Sequence, residues 1–347
     1  MLDTQAPLRT KPLTPLHLGK EIIETPVILA PMAGITDAPF RRLVRRFGAG
    51  LVVSEMIASQ AMIREVRKTM QMIKPADEGD VLTVQLAGSD PQVMAEAARL
   101  NADRGARIID INFGCPAKKI VSGEAGSALM RDEVKAAKIL EAVVKAVHLP
   151  VTLKMRLGWS AETMNAPRLA KIAEESGICM VTVHGRTRQQ FYNGTANWSL
   201  IRPVKESVSI PVIANGDIKT ETDVLEALSQ SGADGIMIGR GTYGRPWLLR
   251  QMMDFLQTGQ KSPDPSLEDI YRIVLGHFED MLETYGDYSG LRNARKHMGW
   301  YSHGLPQASA FRAAINHADD VPQARELIHA FFSRLLDAKR IENGEKI

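Results

Sequence analysis

The chain has 347 residues, 43 Lys+Arg against 40 Asp+Glu, and 44% hydrophobic residues. Those proportions exclude a disordered segment, a disulfide-stapled mini-domain and a collagen-like fibre. The net charge of +3 creates no global field for a nucleic acid, so such a partner must be met by a local patch.

The segment Met1–Lys20 carries Pro7, Pro12 and Pro15 and lacks the apolar run of a signal peptide. No window reaches the roughly 20 apolar residues of a membrane span. The expectation is a soluble cytoplasmic protein with no membrane association. Apolar runs then recur in order: Val27–Ala30, Leu51–Ser54, Val81–Leu86, Arg107–Ile111, Val151–Met155, Met180–His184, Val212–Ala214 and Gly235–Ile238. They read as continuous rather than alternating, the mark of strands covered on both faces. Amphipathic stretches such as Pro91–Asp103 and Arg131–Val147 lie between them and predict helices. Eight βα units predict an α/β fold, a TIM (β/α)8 barrel, which alone takes about 250 residues. An open doubly wound sheet is disfavoured because no G-x-G-x-x-G follows the first run.

Past Gly241 the β-rich runs stop, and Pro263-Asp264-Pro265-Ser266 reads as a linker with Ser266 as helix cap. Helices are predicted over 267–285, 290–302, 307–317 and 321–341. The domain expectation is a catalytic barrel over 1–250 and a small all-helical domain over 251–347.

In a TIM barrel, function collects at the strand C-termini. Those positions hold Pro31-Met32-Ala33, Ser54-Glu55, Gln85, Asn112-Phe113-Gly114-Cys115-Pro116, Lys154 and Arg156, His184-Gly185-Arg186, Asn215-Gly216-Asp217 and Gly239-Arg240-Gly241. Lys154 stands inside an apolar run, where an unpaired ammonium is costly to bury. The loops holding Asn215, Gly216, Asp217, Gly239 and Arg240 occupy the usual phosphate position of this fold. Cys115 sits on a loop that Pro116 keeps extended, as a nucleophile or a proton donor. Cys179 reads as packed and inert. Two cysteines are too few for a disulfide framework or a four-ligand zinc site, and no cluster has metal-ligand spacing, so no metal is expected.

The helical tail is not basic overall, but 288–318 holds Arg292, Arg295, Lys296 and Arg312 and no acid, interleaved with His297, Trp300, Tyr301 and His303. That pattern suits stacked bases and phosphates, or equally a solvated helix face with Trp300 in a core.

The Asn112-Phe113-Gly114-Cys115-Pro116-Ala117-Lys118-Lys119 block, followed by Gly123-Glu124-Ala125-Gly126-Ser127-Ala128-Leu129-Met130, resembles the tRNA-dihydrouridine synthases. So do the segments 30–41, 153–159, 183–188, 215–218 and 237–241, in order. The likeness is closest to the bacterial B-type subgroup and covers about residue 26 to 250, with the helical tail fitting as well. It implies FMN-dependent reduction of the C5–C6 double bond of specific uridines in the D-loop of tRNA, with NADPH reducing the flavin. Hydride would pass from flavin N5 to C6, and Cys115 would protonate C5. By the same resemblance Pro31, Met32 and Ala33 line the flavin, and Gln85 and Lys154 contact its ring. His184 lies near the ring or phosphate, and Asn215, Gly216, Asp217, Gly239 and Arg240 hold the phosphate. Asn112 and Arg156 would contact the uracil, and Arg292, Arg295 and Lys296 the RNA. The partner expected is tRNA, with no obligate protein partner and a monomeric state. The readings kept alongside are a flavin-dependent barrel oxidoreductase acting on a small pyrimidine, and a non-catalytic RNA-binding regulator.

Overall fold

A computed structural model describes residues 13–60 and 83–342. Val81 and Leu82, the start of the third predicted run, lie outside the described residues, as does the N-terminal segment through residue 12.

All eight runs contain strands. They are β3 (Val27–Leu29), β4 (Leu51–Val52) with β5 (Ile57–Ala58), β6 (Thr83–Ala87), β7 (Ile108–Phe113), β8 (Val151–Arg156), β9 (Met180–His184), β10 (Val212–Asn215) and β11 (Gly235–Ile238). Their order is β4-β3-β11-β10-β9-β8-β7-β6-β5, and every pair is parallel. The second barrel strand is broken: β4 pairs with β3, and β5 with β6. Between the two halves Val53 bridges Thr83, and the Ser54 N–H donates to the Thr83 carbonyl at 2.9 Å. That bridge closes the sheet on itself, so the fold is a TIM-type (β/α)8 barrel.

The strands alternate, which corrects the continuous reading. In β7, β8 and β9 the residues Ile109, Ile111, Phe113, Val151, Leu153, Met155, Val181 and Val183 belong to the core shared with the surrounding helices. The intervening Asp110, Asn112, Thr152, Lys154, Arg156, Thr182 and His184 face the other way, into the barrel, because successive side chains on a strand take opposite faces. Ile, Val and Leu at every second position hide this alternation when Thr, Lys and Asn are read as exceptions to an apolar run.

The bottom of the barrel is apolar. Ile28, Leu51, Ile108, Met180, Ile213 and Met237 form a second core with Leu16, Leu18 and Ile23. The last three come from an antiparallel hairpin, β1 (Leu16–Leu18) and β2 (Glu21–Ile23), joined through Gly19 at φ +60°. The sequence reading missed this hairpin; its signal is two short alternating segments around a two-residue Gly-Lys turn.

Among the described residues, the helices of the barrel unit are α1 (Ala38–Arg46), α2 (Pro91–Asp103), α3 (Lys118–Val121), α4 (Glu133–Ala146), α5 (Ala166–Glu175), α6 (Arg202–Ser207), α7 (Glu221–Ser231) and α8 (Leu248–Thr258). Their starts follow local capping. Asp37 accepts the Phe40 N–H at 3.0 Å, Asp90 accepts those of Gln92 and Val93, and Thr220 with Asp223 forms a capping box.

The chain divides into two compact units, one running to Gly241 and resuming over Leu248–Lys261, the other made of Thr242–Trp247 and the chain from Ser262. The division is thus not a single cut at residue 250. Helix α8 stays with the barrel, where Leu248, Leu249, Met252, Met253 and Leu256 enter the core.

The helical unit holds α9 (Leu267–Tyr301), α10 (Ala308–Asn316) and α11 (Val321–Glu342). Gly286, at φ +74° and ψ 166°, breaks α9 into two helical stretches, in line with the gap expected between 285 and 290. Tyr243 stacks on Trp300 at 4.0 Å, and His297 meets His277 and Trp300 edge-on.

Candidate active site

The barrel register sets Gln85 beside Asp110, Asp110 beside Thr152, Asn112 beside Lys154, and Arg156 beside His184, which is beside Asn215. Polar side chains from five neighbouring strands therefore meet inside the upper half of the barrel.

One hydrogen-bonded chain climbs toward Cys115. Thr152 Oγ1 donates to Asp110 Oδ1 at 2.5 Å, and Gln85 Nε2 donates to Asp110 Oδ2 at 2.6 Å. Asn112 Nδ2 donates to Gln85 Oε1 at 2.7 Å. Asn112 Oδ1 then accepts the Gly114 and Cys115 N–H groups at 3.0 and 2.8 Å. Asp110 can only accept while ionised, so it fixes which way the Gln85 amide points, and Gln85 in turn fixes Asn112. Burial raises the Asp110 carboxyl above its usual range, although the bonds from Thr152 and Gln85 and the Lys154 charge act against that rise. Asp110 is not among the site residues the sequence pointed to. Its partners are neutral groups on adjacent strands, visible only once the register is known.

Lys154 is the isolated cation of the site. Its Nζ donates to Asn215 Oδ1 at 3.0 Å, a neutral acceptor, while Asn215 Nδ2 is held by the Met237 carbonyl. Burial, followed by the Arg156 charge, pulls the Lys154 pKa down to about 8, against smaller upward pulls from Asp110 and Cys115. Cys115, half-buried, also acts electrostatically on Arg156. Cys115 thus lies within electrostatic reach of both Lys154 and Arg156.

Arg156 is almost wholly buried. Its Nε donates to the Gly114 carbonyl at 2.8 Å, and Nη1 to the carbonyls of Thr187 and Phe191 at 2.9 and 2.8 Å. One guanidinium thus ties the Cys115 loop to the loop after β9. Burial lowers its pKa to about 10.

Arg186, which the motif reading named without a role, organises the loops that carry Asp217 and Arg240. It is 1% exposed, and it grips Asp217 through Nη2 at 2.5 Å and Nη1 at 3.0 Å. Arg240 Nη2 adds a bond to Asp217 Oδ1 at 3.0 Å. Burial would raise the Asp217 carboxyl, but the Arg186 hydrogen bond, the Ala196 N–H and the two arginine charges outweigh it and hold it low. The Asp217 carboxylate is thus neutralised by arginines, and only its main chain is left to meet an anion. Gly216, at φ +119°, is required here: a Cβ would come within 2.7 Å of Ala196 Cβ and 2.8 Å of His184 Cδ2. His184 stays neutral, because burial and then the charges of Lys154, Arg156, Arg186 and Arg240 push its pKa well below the usual histidine value.

At the end of β3, Met32 turns the chain, its N–H donating to Thr36 Oγ1 at 2.8 Å; Pro31 and Met32 are half-buried and Ala33 is exposed. Met32 reaches toward Gly239. The Gly34 N–H is held by Glu55 Oε1.

The tail residues do not gather into one basic-aromatic face. Arg292 is exposed and donates to the Tyr288 hydroxyl. Arg295 instead donates inward to the Ala318 carbonyl at 2.5 Å. His297 and Tyr301 are buried, and Trp300 is engaged by Tyr243. His297, Trp300 and Tyr301 therefore serve packing within the helical unit, while His303 is exposed.

The fold and this mouth define a (β/α)8-barrel enzyme whose site offers a half-buried lysine, a neutral histidine, glycine loops and a cysteine. The dihydrouridine synthase (Dus) family matches residues 28–336, and the chain belongs to that family. It is 56% identical over 323 residues to the probable tRNA-dihydrouridine synthase of Rickettsia bellii, covering 93% of this chain and 99% of that protein. It is 48% identical over 321 residues to tRNA-dihydrouridine synthase B of Xanthomonas axonopodis pv. citri, covering 92% and 97%. Among solved structures it is similar to the 6-hydroxypseudooxynicotine amine oxidase of Pseudomonas geniculata N1, with TM-score 0.56 at 14% identity. That match covers 71% of this chain and 49% of the other. The chain thus spans about half of such larger proteins, and the likeness shows the shared barrel.

Proposed function

We propose that this chain is a tRNA-dihydrouridine synthase that reduces the C5–C6 bond of uridine in the D-loop of tRNA, with FMN as its cofactor and NADPH as reductant. The observation that carries the reading is Lys154, a half-buried ammonium whose hydrogen bond goes to the neutral Asn215 and whose pKa is pulled to about 8, at a mouth that also holds Cys115. A cation so placed calls for an anionic ligand. The donor set fits flavin mononucleotide: Lys154 and Gln85 for the ring, neutral His184 beside it, and the main chain at Gly216, Asp217, Gly239 and Arg240 for the phosphate.

When bound, the flavin supplies the hydride that goes to uracil C6. Cys115 supplies the proton to C5, which completes the two-electron reduction, and the resulting thiolate lies within reach of the Lys154 and Arg156 charges. Asn112 holds the Cys115 loop through two main-chain N–H groups and, with one Nδ2 hydrogen on Gln85, keeps the other for the uracil edge. Arg156 locks that loop and leaves Nη2 for the base. The target uridine leaves the RNA stack to enter the barrel mouth. The helical unit grips the RNA, with Arg292 its exposed contributor and Arg295 and Lys296 behind it. The protein acts as a monomer in the cytoplasm, where its substrate is. The full-length similarity to proteins named for tRNA modification supports this reading over a small pyrimidine substrate or a non-catalytic regulator.

The test is an absorption spectrum of the purified protein, identification of the released flavin, and nucleoside analysis of tRNA incubated with the protein and NADPH. Flavin bands with FMN release and new dihydrouridine are expected. Protein that binds no flavin, or that oxidises NADPH without altering tRNA, overturns the reading.

A further inference from the structure

Along the loops at the mouth of the barrel unit, guanidinium groups and aromatic rings alternate. Arg131 lies over the Trp159 ring at 4.0 Å. Arg188 lies 4.6 Å from the same ring and 5.4 Å from that of Phe191. Phe191 meets Tyr192 edge-on at 6.4 Å, and Arg240 lies 4.6 Å from the Tyr192 ring. None of the chemistry assigned above uses Arg131, Trp159, Arg188, Phe191 or Tyr192.

The row is built rather than incidental. The Arg188 and Gln189 N–H groups donate to the carbonyls of Gly158 and Trp159 at 2.9 and 3.0 Å, which joins the β8 and β9 loops. Phe191 stands at φ +54°, a region that bulky side chains avoid. It is held there by buried Arg156, which takes its carbonyl at 2.8 Å. The backbone strain is thus spent on displaying two rings, with Phe191 38% and Tyr192 50% exposed. The carboxylates nearby are taken: Glu124 by Lys135, Glu133 by Arg168, and Asp217 by Arg186 and Arg240. Asp132 caps α4 at the Lys135 N–H. Arg131 and Arg188 form no ion pair with these carboxylates, although the Arg131 charge acts on Glu124 at longer range.

We propose that this row is a docking strip for unpaired nucleotides flanking the target uridine, whose bases stack on Phe191 and Tyr192 and whose phosphates meet Arg131 and Arg188. Exposed rings interleaved with cations answer both parts of a nucleotide, the planar base and the anionic backbone. An acidic peptide would satisfy the arginines and leave the two rings without planar partners. Because Arg156 also bonds the Gly114 carbonyl, the strip is fastened directly to the Cys115 loop. The inference rests on the reading of the chain as a tRNA-modifying enzyme and adds where the RNA next to the reacting base lies.

The experiment titrates the full-length flavin-loaded protein with an unmodified tRNA transcript and with a uridine hexanucleotide, alongside NADPH-driven flavin bleaching. The double variant Arg131→Ala/Arg188→Ala is expected to bind tRNA at least about tenfold more weakly, with the log–log salt slope reduced by about 1.5. Phe191→Asn removes the ring but tolerates positive φ, so the loop keeps its shape; about three- to tenfold weaker binding of both probes is expected, with flavin bleaching unchanged. Affinities within about twofold of the parent in both variants overturn the strip, while parent activity on tRNA leaves the functional reading standing. A raised KM for NADPH with unchanged tRNA affinity overturns it as well, and makes the row a dinucleotide site. Parent protein that forms no dihydrouridine overturns the functional reading and the strip together.

Discussion

The two cysteines mark the two ends of the barrel. Just before β9, Cys179 donates its thiol to the Val151 carbonyl at 3.2 Å, and burial pushes its pKa up to about 11. It packs against the apolar plug of Leu16, Leu18, Ile23 and Ile108. Just after β7, Cys115 has its N–H held by Asn112 and lies within the electrostatic reach of Lys154 and Arg156. The same strands build both ends: β7 begins with Ile108 and passes through Asp110 and Asn112, and β9 begins with Met180 and ends in His184. What separates a thiol packed against hydrocarbon from one beside ionisable groups is therefore position along the strand, since hydrocarbon fills the barrel below and ionisable groups meet above.

The sharpest way to break this contrast is to remove each sulfur. Cys115→Ala is expected to lower single-turnover dihydrouridine formation by about 10²–10⁴-fold, the range of a lost general acid, while NADPH still reduces the flavin. Cys179→Ala should leave both rates within about twofold. Equal rates for the two variants would erase the distinction between the ends.

A smaller effect is expected at Lys154. Its pKa of about 8, down from 10.5, means the ammonium is essentially all present a pH unit or more below 8 and is lost as the pH rises through that value. An anion that stabilises the charged form raises this pKa, so FMN affinity should be flat below pH 8 and fall up to about tenfold per pH unit above it. Fluorescence titrations from pH 7 to 9.5 measure this. Lys154→Met should bind more weakly and lose the slope, and a slope that survives in that variant would move the anion site elsewhere.

The plug should answer in stability alone. Leu18 is fully buried in it, so Leu18→Ala is expected to cost about 2–5 kcal/mol in denaturant unfolding. Turnover per folded molecule should be unchanged. Altered turnover in the folded fraction would show that the two ends are coupled.

The barrel was largely legible in the chain because each strand is a short Val-, Ile- and Leu-rich run, and hydrocarbon that must leave water marks itself in the sequence. The candidate site was legible where a residue type is costly out of context, as with Lys154 inside an apolar run. Asp110 and Arg186 were not, because each works through groups that are remote in sequence and adjacent only across the register: Gln85 and Thr152 for one, Asp217 for the other. Trp300 and His297 were open between core and RNA contact. Composition does not say which face of a helix finds Tyr243 or His277.

Residue order alone thus determined eight strands, their helices and the loops that carry Cys115, Asn215 and Gly239, because local hydrophobic pattern and turn chemistry are properties of neighbouring residues. Only the closed barrel decided that Arg156 fastens two loops together, that Asp217 faces arginines, and that Phe191 is held at a strained angle with its ring outward. Those are pairings over tens of residues, and side chains so far apart meet only when the whole sheet has curled and closed.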